Sequence, residues 1–141
     1  MLNAALLVGP DPEVYATLDV AVLDLYSGDL EFVKAGAAPS YILREGELTQ
    51  IDSRSMPAGM LPVLEPEIFR CSVQPGDLVI LLSDGLLPAG QGDEALREFI
   101  LAFDRKKGSM ARAMVNFCKK LTPEEISDDM TAVVLHIRKE H

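Results

Sequence analysis

Five apolar residues in a row, Leu78 to Leu82, stand between a Pro75-Gly76-Asp77 turn signal and an abrupt Ser83-Asp84-Gly85. A short apolar run bounded by turn formers reads as a strand buried on both faces. A carboxylate at the exit of such a strand is held on a rigid element and aimed in one direction. Gly85 beside it lets the backbone turn sharply or lets a ligand approach closely. The pattern suits a metal or phosphate site, and it also suits a plain turn, because Asp-Gly favours turns on its own account.

A second acidic signal lies downstream at Ser127-Asp128-Asp129-Met130-Thr131, directly before the β-branched run Ala132-Val133-Val134-Leu135. If the two strands are antiparallel neighbours, Asp84 and Asp128 fall at the same end of one sheet, on strands about 4.8 Å apart. Carboxylates that close repel each other unless a cation lies between them. A hard, oxygen-preferring ion such as magnesium or manganese is the natural occupant. Asp129 follows Asp128 in extended chain and is expected to point to the other face, as an outer-shell residue.

The chain has 141 residues, enough for one domain with a core of its own. No apolar run approaches the ~20 residues of a membrane span. The apolar start, Met1 to Val8, lacks a basic leader and a cleavage pattern, so no secretion signal is read. Cys71 and Cys118 are far apart and have no metal spacing, which predicts buried, reduced thiols in a cytoplasmic protein. The net charge of −9 argues against nucleic acid as a partner. It leaves a phosphoprotein substrate open, because a bound cation reverses the sign locally.

In chain order, Leu2 to Val8 reads as the end of a helix, stopped by Gly9-Pro10-Asp11-Pro12. Ala16 to Leu25 reads as a long strand apolar on both faces. Its Thr17 and Asp19 either sit at a wet end or line a metal cleft. Tyr26-Ser27-Gly28-Asp29 is a hairpin turn, and strands follow over Leu30–Lys34, Ser40–Arg44, Leu48–Ile51 and Ile68–Val73. Hairpins at this spacing predict an antiparallel meander. The period then becomes helical: Leu96, Phe99, Ile100 and Phe103 form one stripe, with Asp93 as its cap. Met110, Met114, Phe117, Cys118 and Leu121 form another, capped by Ser109; its methionines are read as core filler. Thr131 to Ile137 is the last strand, and the lone His136 near its end is read as a surface residue.

Several stretches together resemble one family: Tyr15-Ala16-Thr17-Leu18-Asp19-Val20, Ala35-Gly36-Ala37-Ala38-Pro39-Ser40, Met56-Pro57-Ala58-Gly59, Gly76-Asp77 through Ser83-Asp84-Gly85, and Asp128-Asp129-Met130-Thr131. In this order they are similar to the C-terminal part of a stage II sporulation protein E-type phosphatase, a branch of the metal-dependent phosphatases related to type 2C. The family's earlier Asp-Gly metal motif has no counterpart before Met1-Leu2-Asn3.

The resemblance implies an α+β fold, an antiparallel β-sandwich flanked by helices in the αββα manner of protein phosphatase 2C, truncated at the N-terminus. Residues 1–141 would form a single domain, the C-terminal portion of a phosphatase domain. The implied activity is hydrolysis of phosphoserine on an anti-anti-sigma-type protein in a sporulation or stress switch. It would use a two-metal site of manganese or magnesium, with Asp84 and Asp128 as metal-holding catalytic residues and Gly85, Asp129 and Asp19 around them. The partial domain is expected to be inactive alone and to self-associate through the open edge of the Ala16–Leu25 strand. The parent is expected in the cytoplasm, with room for a membrane tether outside this chain. The competing reading is a non-catalytic, phosphatase-like binding module.

Overall fold

The computed structural model describes residues 2–7, 14–87 and 92–139. The helix stop at residues 9–12 lies outside the described residues. The elements run α1 (Leu2–Leu7), β1 (Leu18–Leu23), β2 (Asp29–Ala35), β3 (Ser40–Arg44), β4 (Glu47–Ile51), β5 (Glu67–Ser72), β6 (Leu78–Leu82), α2 (Glu94–Ala102), α3 (Met110–Leu121) and β7 (Ala132–His136). The fold is α+β, and all the strand pairings described are antiparallel. The chain divides into two compact units, residues 1–37 with 51–74, and residues 38–50 with 75–141.

The first unit carries a three-stranded sheet in the order β1-β2-β5. Directly opposed residues share a face, so Asp19, Lys34 and Glu67 form one row, and Ala21, Phe32 and Phe69 the next. On this face Phe32 and Lys34 are fully buried. The other face carries Val20, Val33 and Ile68, then Val22, Glu31 and Arg70. Val20, Val22 and Ile68 are exposed there, so β1 is apolar on both faces but not buried on both, and it is shorter than the predicted 16–25. Ahead of β1, Ala16 makes a two-bond bridge with Ala58. The amide of Asn3 on α1 ties down the same loop, accepting from Gly59 N at 2.6 Å and donating to Leu61 O at 3.2 Å.

The second unit carries a four-stranded sheet in the order β4-β3-β6-β7. The predicted meander is corrected by this order: β2 and β3 follow each other in sequence but belong to different sheets, and only the local hairpins remain paired in sequence order. Leu78, Ile80 and Leu82 point from β6 into a core with Tyr41, Leu43, Leu96, Ile100, Met110, Met114 and Cys118. Both methionines are therefore core filler, and α2 and α3 owe their position to these stripes rather than to intrinsic propensity. Ser109 caps α3 by accepting from Arg112 N at 3.3 Å. Asp93 precedes α2 but does not cap it with its side chain. Its carboxylate instead accepts from the hydroxyl of buried Tyr41 at 2.8 Å, because a buried phenol requires a partner more than an exposed helix end does.

Candidate metal site

β6 and β7 are antiparallel neighbours, with Leu82 opposite Ala132. The end of β6 and the start of β7 therefore lie side by side. At Ser83 the backbone is still extended, with φ −82° and ψ 159°. It then winds into one 3-10 turn over Asp84–Leu86, and Leu86 is fully buried in the core of the unit. Asp84 is thus held between a strand behind it and an anchored apolar residue two positions ahead, while its own side chain is exposed.

Across from this turn, Ser83 N donates to Thr131 O at 2.9 Å. The Ser83 hydroxyl accepts from Thr131 N at 2.8 Å and donates to Asp129 O at 3.2 Å. Gly85 packs directly on the Asp128–Asp129 backbone: a Cβ there would overlap the Asp129 carbonyl oxygen and lie 2.9 Å from its carbon and 3.3 Å from Asp128 O. Its φ is not among the positive values. Glycine is needed here for close approach of protein backbone, not for a left-handed turn. One oxygen of Asp128 accepts from Asp129 N at 2.7 Å. Asp128 and Asp129 are both exposed, so the expected opposition of their side chains does not bury either.

Asp84, Gly85, Asp128 and Asp129 are brought together in this way. Asp19 belongs to the first unit, where its carboxylate pairs with the fully buried Lys34 ammonium at 2.7 Å, its cross-strand neighbour. His136 is exposed at the far end of β7, beside Arg138. Sequence reasoning missed Ser83, since a serine before Asp-Gly has the signal of an ordinary turn residue.

Asp84 and Asp128 are hard oxygen donors at one end of one sheet, the chemistry that magnesium and manganese prefer. No group of three or more His, Cys, Asp and Glu side chains among the described residues is arranged to hold a metal. The donors present fit part of a divalent-ion shell and leave the remainder of its roughly six oxygen positions to water or further donors. Beside the Asp128–Thr131 segment, α3 and β7 border a surface groove of about 550 Å³ that includes Arg112, Lys119, Met130 and Thr131.

A sequence profile of the family described as stage II sporulation protein E (SpoIIE) matches residues 1–138. The chain belongs to that family. It is 29% identical to stage II sporulation protein E of Bacillus subtilis (strain 168) over 144 aligned residues, which cover 96% of this chain and 17% of the relative. The solved phosphatase domain of SpoIIE from Bacillus subtilis, with a fragment of its regulatory domain, superposes with a TM-score of 0.81 at 26% identity, over 96% of this chain and 42% of that one. The manganese-presoaked phosphatase domain of the same SpoIIE gives 0.76 at 25% identity, over 99% of this chain and 64% of that one. The chain thus shares the fold of the matched part of a type 2C phosphatase domain and spans less than two thirds of the length of these relatives. Among the described residues no helix is long and apolar enough to cross a membrane.

Proposed function

We propose that this chain is the C-terminal portion of a cytoplasmic, divalent-metal-dependent protein serine phosphatase, in which Asp84 and Asp128 hold metal. The observation that carries the reading is the stitching of the β6 exit to the β7 start, which sets two exposed carboxylates at one end of one sheet. The manganese-presoaked relative of the same fold supports manganese as a suitable ion. Magnesium has the same oxygen preference.

A pair of divalent ions, when bound, supplies charge neutralisation and an activated water for attack on a phosphate monoester, whose uncatalysed hydrolysis is extremely slow. The residues of the chain orient and hold. Leu86 and the β6 ladder fix the backbone of Asp84, and Ser83 and Gly85 fix the backbone of Asp128 relative to it. Cys118 is buried in the helix-covered core and is not available as a nucleophile at this site.

The substrate we propose is a phosphoserine on an anti-anti-sigma-type protein, on the strength of the family. Nucleic acid is not proposed as a partner, in keeping with the charge of −9. With two carboxylates at this end of the sheet, the 141-residue chain alone is expected to bind manganese in the millimolar range, as an order of magnitude for low-charge oxygen sites, and not to turn over.

The test is manganese-dependent turnover of a phosphoserine protein by the full-length phosphatase carrying Asp84→Asn or Asp128→Asn, with circular dichroism as the folding control. Activity should be lost with the fold retained. Near-normal turnover by Asp84→Asn at saturating manganese would sink the assignment. One observation favours the second reading, a non-catalytic binding module: the described residues contain no three-ligand cluster. Wild-type full-length protein that neither binds manganese nor turns over would establish it.

A further inference from the structure

We infer that Ser83 is a positioning residue: its hydroxyl locks the backbone leaving β6 to the backbone approaching β7, and so holds Asp84 and Asp128 as a pair for a divalent cation. The inference rests on the reading of those two aspartates as metal-holding.

The hydrogen bonds define the role. In an antiparallel sheet a hydrogen-bonded pair exchanges two backbone bonds. Ser83 and Thr131 make only one such bond, Ser83 N to Thr131 O at 2.9 Å. The Ser83 carbonyl instead accepts from Leu86 N at 3.2 Å, the bond that opens the 3-10 turn carrying Asp84. The Ser83 side chain takes the place of that carbonyl: its hydroxyl oxygen accepts from Thr131 N at 2.8 Å. It also donates to Asp129 O at 3.2 Å, two residues before Thr131 and next to Asp128 in the chain. A hydroxyl has one proton to give and two lone pairs to receive with, and no apolar side chain of this size does both. The residue therefore lets the chain turn at Asp84 without releasing the opposite strand. It touches neither carboxylate and acts only through the backbone.

The test uses the ¹⁵N-labelled 141-residue chain and manganese chloride alone. Amide exchange at Thr131 reads the clamp with no metal present, and paramagnetic broadening of amide signals around residues 84 and 128 reads ion binding. In Ser83→Ala, Thr131 exchange should accelerate at least ~10-fold, as expected when a protecting bond is lost. The manganese concentration for half-maximal broadening should rise at least ~5-fold, as the two donors lose their fixed spacing. Ser83→Thr keeps the hydroxyl and suits the extended backbone, so it should restore both within about two-fold. Ser83→Cys, close in size but a weak donor and acceptor, serves as the second variant if alanine impairs folding, and should resemble alanine.

Unchanged Thr131 exchange in the alanine or cysteine variant would overturn the clamp. Unchanged manganese response in those variants, while Asp84→Asn or Asp128→Asn weakens it, would overturn the positioning role and leave the metal reading standing. No effect from either aspartate variant would overturn both.

Discussion

Gly85→Ala is the substitution whose cost follows most directly from the structure. The added methyl would sit 2.9 Å from the Asp129 carbonyl carbon, where ordinary contact begins at 3.4 Å, so the two backbones must part by about 0.5 Å, and by more at the carbonyl oxygen. The obstacle is main chain and cannot swing aside as a flexible side chain would. Forcing a methyl into a filled space costs roughly 1–3 kcal/mol. The alternative is to give way at the Ser83 clamp, where each lost hydrogen bond costs about 1 kcal/mol. Alanine recovers about 0.4–1 kcal/mol by restricting the unfolded chain, since the backbone here does not need a positive φ. The net expectation is a loss of about 1–2 kcal/mol, or a fall in Tm of about 3–8 °C for a chain of this size. Thermal and urea unfolding of the 141-residue chain measure it. A variant as stable as the parent chain would refute the close-approach argument and return Gly85 to the ligand-approach reading.

Other consequences can be checked independently. Asp19→Ala leaves fully buried Lys34 without its 2.7 Å carboxylate partner and should cost about 3–5 kcal/mol, whereas Asp19→Leu combined with Lys34→Met should cost clearly less; urea midpoints that rank the pair the other way would contradict this. β1 is an edge strand with exposed Val20 and Val22 and no lysine or proline along it, so the chain should self-associate with rising concentration. Light scattering after gel filtration that gives 15.4 kDa throughout would disprove it. Burial pushes the Cys118 thiol above its ordinary pKa, so at neutral pH it should react with a disulfide reagent well after half-buried Cys71. Equal rates in the native protein would mean that the α3 core opens freely.

Much of the fold is local information and was legible along the chain. The apolar run at Leu78–Leu82, the helical stripes through Leu96–Ile100 and Met110–Cys118, and the Ser109 cap depend on residues within a turn or a strand of each other, and all stand as expected. The adjacency of the two strand ends beside Asp84 and Asp128 was also within reach, because each acid abuts a recognisable strand and only the pairing of those strands had to be supposed. Strand order was not legible: the turn between β2 and β3 has the composition of a hairpin, yet the two strands part into separate sheets, a choice made by burial of faces that lie far apart in sequence. The roles of single polar residues were hidden for a related reason. Asp19 showed no partner along the chain until β2 set Lys34 opposite it, and Asp93 had the position of a cap until the Tyr41 hydroxyl claimed its carboxylate. Residue type and spacing determine what a side chain is able to bond. Which of those bonds forms depends on the partner that folding brings within about 3 Å, and for Ser83, Gly85 and Asp19 that partner comes from another strand, another loop or the strand's approach backbone.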